Sequence, residues 1–117
     1  MAVMFVYATA GDRAEALRIG RAVVAARLAA CANVIDGMQS VYWWQGKLEE
    51  GNEAVLILKT TEDRVRELIL RVKALHSYDC PCIEVLPVVD GHPGYLDWVA
   101  QETHRSPDAG RGLPGGG

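Results

Sequence analysis

MQSVYWWQGKLEEGNEAVLILK, residues Met38–Lys59, is the stretch whose reading decides the fold. Met38 to Gln45 is extended in character, the chain breaks at Gly46, and Lys47 to Glu50 starts a return. The return passes the polar Gly51-Asn52-Glu53 and enters Ala54 to Lys59, the most apolar strand candidate of the chain. This predicts a hairpin with arms from about Met38 to Leu58, longer than the usual strand of ~5–6 residues, so its tip near Gly46 projects past the parent sheet. Tyr42, Trp43 and Trp44 stand side by side in it, in a chain with one Phe, four Tyr and three Trp. Neighbouring residues of a strand point to opposite faces, so the three rings cannot all enter one core.

The flanks supply the remaining elements. Ala2 to Ala8 is almost wholly apolar and rich in strand formers, as expected of a buried strand. Asp12, with Glu15 three residues on, predicts a capped helix running to about Leu28, with Leu17, Gly20, Val24 and Leu28 on its core face. Cys31 to Ile35 resumes strand character, and Asp36-Gly37 marks a bulge or bend before the hairpin. A second helix, about Glu62 to Leu75 with Thr60 or Thr61 as cap, carries the apolar stripe Val65, Leu68, Val72 and Leu75. Cys82 to Val89 reads as a fourth strand; Pro87 cannot donate to a ladder, so it belongs at an edge or near the strand end. Pro93 opens a short last helix with Tyr95, Leu96, Trp98 and Val99 on its apolar side. Residues 1–104 thus form one domain, and the Gly- and Pro-rich residues 105–117 read as a disordered tail.

The order β-α-β-β-α-β plus a closing helix is an α+β ferredoxin-like sandwich, with helices over one face of an antiparallel sheet. Its second face needs a cover, because monomers rarely expose a large apolar area. Self-association supplies one: of Tyr42, Trp43 and Trp44, one ring is expected in its own core and another against a neighbouring subunit. The plainer alternative is a set of rings half-covering an exposed sheet. Composition narrows the partners. A net charge of −3 and a pI near 5.5 give no broad positive field for nucleic acid. No apolar run reaches the ~18 residues of a membrane span, and no export signal is visible, so a cytoplasmic protein is expected. Three cysteines, Cys31, Cys80 and Cys82, suit reduced thiols rather than a disulfide framework.

Five blocks in order, ARLAACANVIDGMQSVYWWQGKLEE (Ala26–Glu50), LILKTT (Leu56–Thr61), ALHSYDCP (Ala74–Pro81), IEVLPVVDG (Ile83–Gly91) and YLDW (Tyr95–Trp98), resemble the CutA family of divalent-cation tolerance proteins. The resemblance runs from about Val3 to Val99. It implies a homotrimer similar to PII-type signalling proteins, with hairpins pairing between subunits and Tyr42, Trp43 and Trp44 at the interface. It also implies a role linked to copper or other divalent cations, without an agreed enzymatic activity and with no cofactor required for folding. His76 and Tyr78 occupy the slot where the family usually reads His-Pro-Tyr, with Ser77 in place of the proline. Near a neighbour's hairpin, His76, Tyr78, Trp44 and Lys47 would line an intersubunit cleft; alternatively His76 and Tyr78 cap and pack a helix end.

Two departures from the family pattern bear on chemistry. A cysteine at the end of the first strand, implicated in copper binding in some members, is Ala8 here. The acidic residue common after the loop proline is Cys82, preceded by Cys80. His76, Cys80 and Cys82 therefore gather an imidazole and two thiols within seven residues, a soft set suited to Cu(I) or Zn(II), while inert buried thiols are the competing reading. Cys31 reads as core packing, His92 and His104 as solvated residues flanking the last helix, and Glu84 as an outward residue of an edge strand. Three classes compete, a trimeric metal-binding or ligand-sensing protein, an RNA-binding module and a small hydrolase, with a trimeric scaffold or signalling protein without metal as a further alternative. The hydrolase lacks any paired base and oxyanion donor by sequence. An RNA-binding module, suggested by Phe5 and Tyr7, is opposed by the acidic balance and the non-aromatic third strand.

Overall fold

The computed structural model describes residues 2–104; the tail expected at 105–117 lies outside the described residues. Strands β1 (Val3–Ala10), β2 (Cys31–Trp44), β3 (Lys47–Thr61) and β4 (Ile83–Pro87) form one sheet in the order β2-β3-β1-β4, with antiparallel neighbours throughout. Helices α1 (Arg13–Ala25), α2 (Val65–Leu75) and α3 (Pro93–Thr103) complete the expected α+β arrangement.

Local chemistry sets the ends of these elements. Asp12 caps α1 by accepting from the Glu15 amide at 2.8 Å. The helix ends at Ala25, not Leu28, because Arg27 adopts a left-handed φ of 63° and turns the chain into β2. Its core face is Ala16, Ile19, Gly20 and Val23, one step round from the stripe read in the sequence; Leu17 and Val24 border it. A Cβ on Gly20 would meet the Ala32 Cβ at 3.0 Å, so this glycine sets how closely α1 approaches the sheet. Before α2, a 3-10 turn occupies Glu62–Arg64. Thr61 does not cap it through an accepted amide; its hydroxyl donates to the Asp63 carboxylate at 2.7 Å.

The core lies between α1, α2 and one sheet face, built on Val6, Ala8, Leu56, Leu58, Ile19, Leu68 and Val72. On the opposite face, α3 covers only one end, where Val99 packs with Val3 and Ala30. Cys31 is buried there, its sulfur 3.4 Å from the Tyr95 hydroxyl. The rest of that face, with Phe5, Tyr7, Ile57 and Leu86 in register across β3, β1 and β4, has no helix over it among the described residues.

β2 and β3 run 14 and 15 residues to a two-residue turn, Gln45-Gly46, with φ of 50° and 78°. Two positive φ values match the right-handed twist of the flanking strands, the usual solution for a tight hairpin. The register shift between Ile35 and Met38, with Gly37 at φ 81°, is the bulge foreseen at Asp36-Gly37. It puts Met38 opposite Glu53, Tyr42 opposite Glu49 and Trp44 opposite Lys47. Alternation then sends Tyr42 and Trp44 to one face and Trp43 to the other. None of the three enters the subunit's own core, against expectation: they are 45%, 50% and 73% exposed. The arm has passed beyond the reach of α1 and α2 before the rings occur.

Candidate functional site

The α2–β4 loop, residues 76–82, is fastened to the end of β1. His76 is buried, its Nε2 donating to the Thr9 carbonyl at 2.7 Å and its Nδ1 accepting from the Tyr78 amide at 3.0 Å. The Thr9 amide in turn donates to the Cys82 carbonyl at 3.4 Å. Glu15 ties the same loop to α1: one carboxylate oxygen accepts from the Gly11 amide at 2.9 Å and the other from the Ser77 amide at 2.8 Å. Desolvation works against this carboxylate, but the hydrogen bonds from Ser77 and Gly11 and the nearby His76 hold it below its ordinary range. A proline at position 77, which the family resemblance leads one to expect, has no N–H to give Glu15.

Tyr78 stands on this footing. Its ring packs against His76 with centroids 4.6 Å apart, and its hydroxyl donates to Glu53 at 3.0 Å. Burial, then the hydrogen bond and charge of Glu53, push its pKa up to about 12, so the phenol stays protonated at neutral pH. Between the loop and the uncovered sheet face lies an open groove of about 740 Å³, lined along the sheet by Tyr7, Met38, Tyr42, Trp44 and Glu53 and along the loop by Tyr78, Asp79, Cys80 and Cys82.

Of the residues singled out in the sequence, the structure brings together Trp44, Tyr42, Tyr78, Cys80 and Cys82. Lys47, which pairs with Trp44 beside the turn, is not among the lining residues. His76 is not either: both ring nitrogens are committed to the backbone, so it supports the loop as the helix-end alternative foresaw. Among the described residues, no group of three His, Cys, Asp or Glu is clustered as a metal ion requires, so His76, Cys80 and Cys82 do not form a three-ligand set. Cys80 and Cys82 are exposed free thiols. Cys82 contacts Glu84 at 3.7 Å, and desolvation followed by the Glu84 charge pushes its thiol up. Glu84 itself is exposed on edge strand β4, as expected. Ala8 lies in the core. Sequence reasoning missed Met38, Glu53 and Asp79 as groove residues and gave Tyr7 no such place, since the register around the bulge had first to be known. His104 is not simply solvated either, for its Nε2 meets Asp63 at 2.7 Å.

Fold and groove together define a ferredoxin-like α+β protein with an overlong, aromatic hairpin and one largely uncovered sheet face. The comparisons with known proteins give that class a name. Residues 4–102 match the family described as CutA1 divalent ion tolerance protein, and the chain belongs to it. The divalent-cation tolerance protein CutA of Thermus thermophilus is 46% identical over 85 residues, 73% of this chain and 82% of that protein. That of Pyrococcus horikoshii is 41% identical over 103 residues, 88% of this chain and the whole of the relative. The crystal structure of CutA1 from Oryza sativa superposes with a TM-score of 0.86 at 37% identity, covering 91% of this chain and 97% of that one. Against some longer relatives the match is partial: the chain spans 57% of chloroplastic CutA 1 of Oryza sativa subsp. japonica and 61% of CutA of Mus musculus. Relatives bear chloroplastic and periplasmic names. Among the described residues, no helix is long and apolar enough to cross a membrane.

Proposed function

We propose that the protein is a non-enzymatic homotrimer that handles a soft cation, copper foremost, through the Cys80 and Cys82 thiols beside an intersubunit cleft. The observation that carries this reading is the placing of both exposed thiols in one groove that also contains the Met38 side chain. Thiolates favour Cu(I) or Zn(II) over hard ions, and two of them two residues apart in a short loop can close on one ion. Reduced thiols also favour the cytoplasm as the working compartment. The test is a competition titration against a Cu(I) chelator, comparing the protein with Cys80→Ser/Cys82→Ser after matched folding and assembly are established. Loss of one equivalent per subunit is expected; an unchanged affinity and stoichiometry makes these sulfurs packing atoms.

A second reading, a trimeric scaffold or signalling protein without bound metal, is favoured by the lack of a three-ligand cluster among the described residues. Full retention of metal-free assembly and no Cu(I) uptake would select it.

A further inference from the structure

Charge is divided unevenly between the layers of the fold. Among the described residues, the strands carry two basic side chains, Lys47 and Lys59, against Asp36, Glu49, Glu50, Glu53 and Glu84. Helices α1 and α2 reverse that balance: Arg13, Arg18, Arg21, Arg66, Arg71 and Lys73 are all exposed, against Glu15 and Glu67. Glu15 is taken up by the Gly11 and Ser77 amides, and Glu67 meets Arg64 at 3.9 Å. We propose that the outer face of α1 and α2, centred on Arg18, Arg21, Leu70 and Arg71, docks an acidic segment of another protein, its carboxylates on the guanidinium groups and one apolar side chain on Leu70. The proposal goes beyond the soft-cation reading and does not depend on the thiols.

The two helices present one joined surface. Arg18 reaches across from α1, its Nη2 donating to the Leu75 carbonyl at the end of α2 at 3.0 Å, with Glu15 at 3.7 Å. Arg71 stands one turn before Leu75 on the same side of α2, and Arg21 one turn after Arg18 on α1. The bond to Leu75 holds the Arg18 guanidinium in place and leaves its other N–H donors for a guest. Leu70, beside Arg71, is 60% exposed, and Ala14, Ala25 and Ala74 are exposed small residues of the same two helices. Leu70 supplies the apolar contact that exposed charge pairs need, since such pairs are worth little by themselves in water.

This face stays open in the assembly. The core separates it from the sheet, and the surface that a neighbouring subunit has to cover is on the sheet's other side. The hairpin rings need an apolar seat, which a layer of exposed cations does not offer. Among acidic guests, guanidinium groups pair bidentately with carboxylates, and the centre of the patch is Arg rather than Lys. Duplex nucleic acid fits less well: α1, of 13 residues, spans about 20 Å, and a longer polyanion runs on to meet the rest of a chain of net charge −3. A flat anionic membrane fits less well too, because faces on the outside of a ring point in different directions and meet it one at a time. A short acidic segment matches the single face of each subunit.

The experiment is a fluorescence-anisotropy titration of the assembled full chain into a labelled peptide of Asp and Glu around a central Leu, with the same peptide in Asn and Gln as neutral comparator. Saturable binding of the acidic peptide, weakening as salt is raised, and no saturable binding of the neutral one are expected. Arg21→Glu/Arg71→Glu should weaken it roughly tenfold or more, and Leu70→Ser about threefold. Sedimentation and circular dichroism establish that each variant is folded and assembled; if the double reversal is not, Arg21→Gln/Arg71→Gln carries the charge test with about a threefold loss. Cys80→Ser/Cys82→Ser should leave peptide binding unchanged while removing any Cu(I) site, which separates failure of this proposal from failure of the soft-cation reading. The proposal is overturned by an absence of saturable peptide binding, by equal binding of the neutral peptide, or by an unchanged affinity in the folded charge or Leu70 variant. It is overturned equally by tighter binding of phosphatidylserine vesicles or of a DNA duplex than of the peptide, or by an association between assemblies that the charge reversal abolishes.

Discussion

Two histidines show how hydrogen-bond partners, rather than exposure alone, assign a residue its state. His76 is held at both ring nitrogens, Nε2 donating to the Thr9 carbonyl and Nδ1 accepting from the Tyr78 amide. His76→Ala removes both bonds from a buried position and should cost about 1–3 kcal/mol in urea unfolding. It should also free Tyr78, visible as line broadening of its ring resonances. His104 faces two acceptors, the Ala100 carbonyl at 2.6 Å from Nδ1 and Asp63 at 2.7 Å from Nε2, an arrangement that wants a proton on each nitrogen. The Ala100 carbonyl first, then Asp63, raise its pKa above the ordinary 6.5, against smaller opposing effects of burial and, last, Arg64. Asp63 is lowered below 3.8, chiefly by the Thr61 hydroxyl, with His104 contributing. A raised histidine pKa gives stability that is complete below pH 6.5 and fades as pH rises through the folded value. A lowered aspartate pKa gives stability that is lost as pH falls through its own folded value. His104→Ala should therefore destabilise the protein more at pH 6 than at pH 9, by a modest amount because both partners are partly exposed. Thermal melts at the two pH values check this, and equal losses would refute the charged state.

At the scale of the element, the hairpin turn is the most exposed test of backbone chemistry. Gln45 holds φ at 50° in a turn where asparagine and glycine are at ease, and Gly46 holds 78° with no atom within 4 Å of a Cβ placed there. Gly46→Ala should lose about 1 kcal/mol through the left-handed backbone alone, since there is space for the methyl group. Gln45→Asn should gain a few tenths of that, read as a shift of the urea midpoint. The same hairpin shows what was legible beforehand. Its length, the bulge at Asp36-Gly37 and the turn at Gly46 follow from local residue chemistry, as do the Asp12 cap and the Leu68 and Val72 stripe of α2. The face of α1 was read partly one step away: Gly20 was placed correctly, but Leu17 and Val24 were taken for the buried Ala16 and Val23 because they are larger, and they only border the core. The groove was half legible. Tyr78, Trp44 and the cysteines stood out by type, but Met38 and Glu53 meet only through the pairing after the bulge. His76 was distinguishable from a ligand only once Thr9 was seen beside it.

For the whole molecule the unsolved problem is surface. The described residues extend 46 Å along one axis against 29 and 24 Å across, and the hairpin carries Ile35, Val41, Tyr42, Trp43, Trp44 and Leu48, all more than 40% exposed. These six are over half of the large exposed apolar residues among those described, so the hairpin is where burial has most to gain. Alternation divides them: Tyr42 and Trp44 lie on one face, while Val41 and Trp43, with Leu48 across from Trp43, lie on the other. A two-fold dimer that covered one face against its own copy would leave the second bare. Covering both by neighbours on either side calls for a head-to-tail contact that closes into a ring, and the family resemblance sets the number at three. We therefore expect sedimentation at low micromolar concentration to give a homotrimer and no folded monomer. Trp44→Asp and Trp43→Asp, on opposite faces, should each disrupt it, because each places a charge without a counter-ion in a dry contact. Far-UV circular dichroism separates dissociation from unfolding. A hairpin wet on one side would let one of the two substitutions pass without effect on assembly, and a stable folded monomer of the unaltered chain would overturn the ring altogether.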